Sequence, residues 1–295
     1  MVIPHMRRPK VAFEMKFAND SLKPGSEVEL ELSLHPRQKA EVRGGHVELT
    51  CTQTYWQRVQ HYVYTRYGGY YRTRLHRMTE ILYRDSAEFI EAMELMAESP
   101  IRKRVRFALP QEAPPTVRGG AVNICWWLKA SVDVVKRRDL HQEVEVLVSW
   151  PEPARAEGVD PDAMTQAEST FDQGTMSLTV PSAPIRAGDV VSGKLRILMS
   201  EGLTPRQVRI ELERFEVAGH HSWTGLIDQQ VLADNPELQE GGAREWRYRL
   251  QVPQGPCPTI QTNRSQVEWR VRGILDRRMK GDPTVAGAFD VYTGA

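Results

Sequence analysis

Apolar and polar residues alternate with a period of two through most of the chain. In the first such segment the apolar positions are Val11, Phe13, Met15 and Phe17, and a second segment at Ser26–Leu34 repeats the pattern. Further alternating runs follow as far as the C-terminal part, separated by clusters of Gly, Pro and Asp. Side chains of a strand point alternately to its two faces, so this pattern predicts many short, half-buried strands. We expect an all-β protein built of β-sandwiches rather than alternating strands and helices.

One segment has a helical period instead. Asp85 is suited to an N-cap position, and Glu88 follows three residues later, as in a capping box. The apolar residues after it recur at helical spacing and form one stripe, while glutamates occupy the other positions. We therefore predict one short helix over Ser86–Ala97, with a stripe made of Phe89, Ile90, Met93, Met96 and Ala97.

The length of 295 residues favours two domains over one. Residues 151–175 are rich in Pro, Ala, Asp and Glu and poor in periodic apolar residues, which is typical of a linker. We predict an N-terminal domain at 1–150, a linker at 151–175 and a C-terminal domain at 176–295.

An internal repeat supports this division. When the chain is shifted by 143 positions, residues 94–139 align without gaps on 237–282, with 11 identities in 46 positions, Trp126 and Trp269 among them. An upstream turn also recurs, because Gly25 matches Gly188 at an offset of 163. The offsets differ by 163 − 143 = 20, so the first copy has about twenty additional residues. Two domains of one topology are the simplest explanation.

Several of these motifs resemble a known superfamily. The segments "LKPGSEVELELSL", "RFALPQEAPPT" and "ICWWLKASVDV", with a second copy ending in "VEWRVRGILDR", resemble the arrestin-like fold from about Lys10 to Tyr292. That superfamily includes arrestins, the arrestin-like subunit of retromer and bacterial sporulation-control proteins. The resemblance implies two tandem immunoglobulin-like, arrestin-like β-sandwiches, with a helix on the outside of the first. It also implies a non-catalytic adaptor.

The chain departs from the family pattern in two respects. It has no PPxY motif of the kind that α-arrestins use to recruit ubiquitin ligases, and "APPTV" is not one. It ends in "FDVYTGA" directly after its last predicted strand, so the regulatory C-terminal tail of visual and β-arrestins is not expected. The sensing of a phosphorylated receptor is therefore not carried over.

Composition narrows the function classes. With 39 Lys and Arg against 38 Asp and Glu, the net charge is +1, which argues against a globally basic nucleic-acid binder. No apolar run reaches the ~18 residues of a membrane span, and the N-terminal residues lack the features of a secretion signal. Three cysteines without CxxC spacing indicate buried free thiols and a cytoplasmic location: Cys51, Cys125 and Cys257.

No known catalytic or nucleotide-binding motif is evident in the sequence. The sequence has no nucleophile elbow, HExxH, P-loop or Rossmann glycine pattern. We predict no catalytic residues, no metal site and no cofactor, so the protein is not expected to be an enzyme.

The most distinctive segment is a basic, aromatic hairpin, with a turn predicted at Gly68–Gly69. From Arg58 to Arg84 there are six arginines and one acid, Glu80, a charge of +5, with tyrosines interleaved. Such a surface can bind anionic or stacked groups. In the alternative interpretation the tyrosines are cross-strand pairs, and the acidic residues between Asp85 and Glu98 neutralise the arginines. The candidate partner-binding residues are Tyr64, Arg66, Tyr67, Tyr70, Tyr71, Arg72 and Arg74.

The sequence thus predicts a cytoplasmic adaptor that binds protein partners through strand edges, concave sandwich faces or the hairpin. The alternative is a module that binds nucleic acid or an anionic membrane through the hairpin. Open sandwich edges leave a homodimer open as well.

Overall fold

Every regular element that the structure describes is a strand. The computed structural model describes residues 10–17, 21–152, 160, 163–278 and 280–294, and no helix occurs among them. The strands up to residue 150 are β1 (Val11–Phe17), β2 (Glu27–Pro36), β3 (Ala40–Thr65), β4 (Gly68–Ile90), β5 (Met93–Leu95), β6 (Ile101–Ala108), β7 (Val117–Arg118), β8 (Asn123–Val134) and β9 (Leu140–Val146). The later strands are β10 (Met164–Phe171), β11 (Gly174–Pro181), β12 (Ile185–Arg186), β13 (Val190–Met199), β14 (Gln207–Ala218), β15 (His221–Asp234), β16 (Ala243–Gln251), β17 (Ile260–Gln261), β18 (Ser265–Asp276), β19 (Thr284–Phe289) and β20 (Val291–Tyr292). The predicted all-β class is confirmed.

The described residues divide into two compact units. The first contains those up to Gln53 together with Thr79–Thr116 and Ile124–Ser149. The second contains Thr54–Met78, Val117–Asn123 and the residues from Trp150 onward. This division differs from the predicted domains in two places, since the outer part of the β3–β4 hairpin and a short segment before β8 belong to the second unit.

The first unit contains two sheets, an arrangement consistent with a β-sandwich. One has the antiparallel order β1-β2-β6. The other has the order β4-β3-β8, with β5 added to β3 and β9 added to β8. Alternate residues of β8 are buried, including Trp126, as a strand with one face on a core requires.

The second unit has the same kind of arrangement. One antiparallel sheet has the order β10-β11-β13-β16, and the other has the order β15-β14-β18-β17 with β19 paired to β18. The short strands β12 and β20 form a parallel pair. Trp269 on β18 is 1% exposed and lies in this core.

The sequence repeat corresponds to repeated local contacts. The indole N–H of Trp126 donates to the carbonyl of Pro114 at 2.8 Å, and that of Trp269 donates to the carbonyl of Cys257 at 3.1 Å. A shift of 143 positions relates the two pairs. Both proline-rich segments lie outside the strands, as predicted, because proline cannot donate to a sheet.

The opening turns also correspond. Gly25 and Gly188 have φ values of 76° and 99°, which confirms that this turn needs a residue able to adopt positive φ. A Cβ on Gly25 would collide with the side chain of Gln111, and one on Gly188 would lie 2.9 Å from Cγ of Gln254. Gln111 and Gln254 are themselves matched by the 143-residue shift.

The predicted helix at Ser86–Ala97 is wrong. β4 continues to Ile90, and β5 pairs with residues 40–42 of β3. Leu95 is 1% exposed, whereas Met93 and Met96, which the helical stripe would have buried, are 43% and 57% exposed. Pairing with the backbone of β3 and burial of Leu95 outweigh the local helical preference, which is weak by comparison.

The backbone of β3 accommodates the end of β4. Phe89 and Ile90 are buried, and a Cβ on Gly45 would lie 2.6 Å from Ile90 Cγ2 and 2.9 Å from Phe89 Cζ. Phe89 also stacks on Phe13, with ring centroids 6.1 Å apart. Phe89 and Ile90 therefore pack in the core as strand residues and not as one face of a helix.

Part of the predicted linker is also a strand. β10 lies inside 151–175 and pairs with β11 along its whole length. Its residues are mostly Thr, Ser, Gln and Glu, so its alternation of apolar residues is too weak to be recognised in the sequence. As an edge strand it can remain polar, because only one side of it pairs.

Candidate functional site: the distal hairpin

The outer part of the β3–β4 hairpin is strongly basic. We call residues Thr54–Met78 the distal hairpin; they belong to the second unit. The segment contains five arginines, two histidines and no acidic residue. None of the arginines forms an ion pair with a described acidic side chain, and all five are exposed: Arg58, Arg66, Arg72, Arg74 and Arg77.

The turn lies two residues earlier than predicted. Its central residues are Arg66 and Tyr67, and Gly68 is already the first residue of β4, with φ of 122°. The Thr65 hydroxyl donates to the carbonyl of Gly68 and accepts from the amide of Tyr67 at 3.4 Å, which favours the turn at this position. Tyr67 is 95% exposed at the tip.

Three tyrosines form one face of the distal hairpin, which we call the tyrosine face. The ring of Tyr62 meets the rings of Tyr64 and Tyr71 edge-on, with centroid distances of 4.8 and 5.0 Å. Tyr62 also covers Gly69, where a Cβ would collide with its ring. Tyr64 is nevertheless 84% exposed. The tyrosine face is therefore an organised aromatic surface that is open to a ligand.

Arginine and histidine form the other face, which we call the Arg/His face. Because side chains alternate along β4, Tyr70, Arg72, Arg74 and His76 point to the same side, opposite to Tyr71. The Nε2 atoms of His76 and His61 lie 2.7 Å apart and form a hydrogen bond, so one ring donates and the other accepts. This contact places His61 of β3 on the same face.

The seven predicted site residues therefore form three groups. Tyr64 and Tyr71 are on the tyrosine face, and Arg66 and Tyr67 form the turn. The other three are on the Arg/His face: Tyr70, Arg72 and Arg74. Tyr62 and Tyr71 make a cross-strand contact of the kind that the alternative interpretation expected.

Two of the five acidic residues that follow the hairpin have other contacts. Glu94 forms an ion pair with Lys39, and the Asp85 carboxylate accepts the amide of Ser86 at 2.8 Å. Of the six arginines counted in the sequence, Arg84 alone forms an ion pair among the described residues, with Glu48 at 2.9 Å.

The base of the distal hairpin is fixed to the second unit. The amide of His220 donates to the carbonyl of Trp56 at 2.8 Å, and the rings of Trp56 and His221 meet edge-on at 5.7 Å. The guanidinium of Arg264 lies over the ring of Tyr55 at 5.2 Å. A small polar cleft of about 300 Å³ is beside these residues. The hairpin is thus held at its base while its tip is exposed.

The sequence did not reveal a buried carboxylate in the second unit. Glu216 on β14 is fully buried, and its two oxygens accept the amides of Gly120, Ala121 and Val122 at 2.7 to 3.0 Å. Arg214 Nε adds a fourth bond at 2.7 Å. Four donors compensate the cost of burying the charge. Alternation along β14 places Glu216 on the buried face, but nothing in the sequence indicated its backbone partners, which lie 94 to 96 residues earlier.

Arg214 is itself enclosed by aromatic rings. Its guanidinium lies 5.0 Å from the ring of Trp223 and 5.4 Å from that of Trp269. Such cation–π contacts stabilise a cation that is removed from water. The Arg214–Glu216 pair therefore organises the core around Trp269 and holds the segment before β8.

Two of the three cysteines are poor candidates for nucleophilic chemistry. Cys51 and Cys257 are buried, as predicted, and Cys125 is half-buried. Burial raises the pKa of the Cys257 thiol to about 12 and also raises the pKa of Cys51. Both are therefore neutral thiols near pH 7, whereas a nucleophilic cysteine acts as its thiolate.

The described residues show no metal site, and comparison with known proteins assigns no family. No cluster of three or more His, Cys, Asp or Glu side chains suited to a metal occurs in the described residues. The described part of the chain also lacks any helix with the length and apolarity that a membrane crossing requires.

No family model matches the chain, and no curated protein is significantly similar to it. Its function must therefore be argued from its own residues.

Proposed function

We propose that this chain is a non-catalytic, cytoplasmic adaptor of arrestin-like type that binds a protein partner through the distal hairpin. The observation that carries the proposal is a combination of two features. Five exposed arginines have no acidic partner among the described residues, and the tyrosines beside them are up to 95% exposed. Arg and Tyr are among the residues that contribute most to protein–protein binding when a partner covers them.

The proposed architecture is two tandem arrestin-like sandwiches. The sheet orders β1-β2-β6 and β4-β3-β8 have counterparts in β11-β13-β16 and β15-β14-β18. The matched contacts of Trp126 and Trp269 support this interpretation, because they use the same positions of the sequence repeat. The first copy has about twenty additional residues, and they lengthen the β3–β4 hairpin relative to its counterpart, the β14–β15 hairpin. This longer hairpin distinguishes the first copy from the second.

The partner surface is better assigned to the hairpin than to the edge of β16. Two backbone amides of that strand already donate to side chains of β15, Arg249 to Gln230 at 2.9 Å and Gln251 to Asp228 at 2.8 Å. A peptide adding to this edge would have to displace them. The hairpin tip requires no such displacement.

The two faces of the hairpin indicate the chemistry of the partner. The Arg/His face presents guanidinium groups, which pair bidentately with carboxylates. The tyrosine face presents rigid rings that lose little conformational entropy on binding. A protein segment with acidic residues flanking an apolar or aromatic residue would use both faces.

The proposal is tested by affinity capture from the native cell with mass spectrometry, before and after nuclease treatment. The test variant is Arg66→Glu/Arg72→Glu/Arg74→Glu. The control is Arg102→Glu/Lys103→Glu/Arg244→Glu, which reverses three exposed charges on strands β6 and β16. A nuclease-resistant protein partner that the control retains and the hairpin variant loses is the expected result. Equal capture by both variants would refute the proposal.

A second candidate is binding of nucleic acid or an anionic membrane by the same surface. The five arginines favour it, because no acidic side chain of the described ranges pairs with them and a local excess of cations attracts phosphates. Nuclease-sensitive capture would support nucleic acid. Salt would weaken phosphate binding and also the pairing of the arginines with an acidic protein segment, so the response to nuclease is what separates the two candidates.

A further inference from the structure

Two basic turns are matched by the sequence repeat. The segment that follows β8, Val134–Asp139, aligns with Arg277–Asp282 after β18. The same contact closes both turns. The amide of Val134 donates to the carboxylate of Asp139 at 3.3 Å, and the amide of Arg277 donates to that of Asp282 at 2.9 Å. The two turns therefore share the contact that closes them, and the surroundings of their cations can be compared.

The cations of the second turn are largely satisfied within the protein. Arg277 donates to Asp172, to the side chain of Gln173 and to the carbonyl of Gly281. Its side chain is only 10% exposed. Lys280 also forms an ion pair with Asp172, at 3.4 Å. One acid from the β10–β11 turn thus compensates two of the three cations in this turn.

The first turn has no such acid. Among the described residues, Lys136, Arg137 and Arg138 form no ion pair. Two acids lie beside these cations and have other contacts. Asp133 pairs with Arg43 at 3.4 Å, and Asp139 accepts the amide that closes the turn. Adjacent like charges repel each other, so three consecutive unpaired cations favour an anion from outside.

The backbone and the local shape agree with this interpretation. Lys136 has φ of 57°, a left-handed conformation that glycine or asparagine would adopt more easily. The sequence keeps a cation there instead. The turn borders an open cleft of about 490 Å³, lined by Arg43, Asp133, Val134, Lys136, Arg137, Arg138, Asp139 and His141. The four Lys and Arg side chains outnumber the two acids, so the cleft has a net charge of 4 − 2 = +2.

We propose that this cleft is a binding site for a phosphate-class oxyanion, separate from the distal hairpin. A phosphate group offers three or four acceptor oxygens, which suits several guanidinium and ammonium donors lining one cleft better than a single carboxylate does. The cleft volume of about 490 Å³ has room for a diphosphate or a phosphate ester as well as for a single phosphate. Arg43 can contribute as well, because its ion pair with Asp133 is exposed.

The test is calorimetric titration of the full chain with pyrophosphate at constant ionic strength, with citrate as a carboxylate of comparable charge. We expect one pyrophosphate per chain, bound more tightly than citrate. The variant Lys136→Gln/Arg137→Gln/Arg138→Gln should weaken binding at least about tenfold, since each charge-assisted hydrogen bond contributes substantially. Circular dichroism confirms that the variant folds, and the single variant Arg138→Gln should show a smaller weakening if the triple variant does not fold.

The matched control removes three exposed charges from strands β6 and β16. Arg102→Gln/Lys103→Gln/Arg244→Gln lowers the net charge equally and should leave pyrophosphate binding within about twofold. Loss of binding in this control and not in the turn variant would overturn the assignment. Absence of pyrophosphate binding by the unmodified chain, or tighter binding of citrate, would overturn it as well. None of these outcomes depends on whether the hairpin binds a protein.

Discussion

The ring of Tyr62 meets the ring of Tyr71 edge-on across the two strands of the distal hairpin, with centroids 5.0 Å apart. This contact places the tyrosine face on one side of the ribbon and leaves the opposite side to Arg72, Arg74 and His76. The hairpin is therefore a two-faced ribbon, aromatic on one side and cationic on the other, and the faces can be altered independently.

Tyr67 at the tip is expected to contribute to binding and not to folding. It is 95% exposed and makes no ring contact among the described residues, so Tyr67→Ala should change the free energy of unfolding by less than about 0.5 kcal/mol. Removing an aromatic side chain that a partner covers should weaken capture of the partner by about tenfold or more. Urea denaturation and quantitative capture measure the two effects. Unchanged capture would exclude the tip from the interface.

Glu216 is expected to be essential for stability. Glu216→Ala removes the acceptor of three backbone amides and leaves Arg214 as a cation without its partner. Breaking such a buried pair costs about 3–5 kcal/mol. Urea denaturation measures the loss, with Glu168→Ala, an exposed glutamate on β10, as the control that should change little. A loss below about 1 kcal/mol for Glu216→Ala would show that the segment before β8 is held by other contacts.

Stability should fall at alkaline pH in a way that depends on Cys257. Burial raises the pKa of this thiol from 9.0 to about 12, so the folded protein keeps the proton after the unfolded chain has lost it. The resulting stabilisation is fully present below pH 9 and is lost as the pH rises toward 12. Denaturant unfolding between pH 8 and 11 should show a steeper decline for the unmodified protein than for Cys257→Ala. Equal slopes would mean that the thiol is accessible to solvent.

Thiol accessibility provides an independent measurement. Cys51 and Cys257 are buried and their pKa values are raised, so both should react slowly with a disulfide reagent at pH 8. Both should react fully in denaturant. Rapid reaction of all three cysteines in the folded protein would contradict the described cores.

The strand content and the repeat could be predicted because both depend on local patterns. Alternation identifies a strand whenever one face is buried, as in β8 and β18. The shift that relates Trp126 to Trp269 needs only the identities of the residues. The structure adds that the two indoles donate to carbonyls at matched positions, which the sequence could not show.

The failures have a common physical origin, since each depends on contacts between residues distant in the sequence. The apolar residues of the segment with Phe89 and Ile90 fit a helical period as well as a strand. The segment forms strands because it pairs with β3, and that pairing is not visible in the local sequence. Glu216 occurs in an alternating strand, where a glutamate usually faces solvent. The separation of Tyr71 from Arg72 and Arg74, by contrast, follows from alternation alone and could have been predicted.

The most direct test of the central proposal is to identify what touches the tip of the distal hairpin in the native cell. A photo-crosslinking amino acid replaces Tyr67, and a control chain carries it at Leu198, which is 47% exposed on β13. Ultraviolet irradiation followed by mass spectrometry should give a covalent adduct with one protein from position 67 and not from position 198. The added mutations Arg72→Glu and Arg74→Glu should abolish that adduct. Crosslinks to nucleic acid or lipid, or none from position 67, would contradict the proposal that the hairpin binds a protein partner.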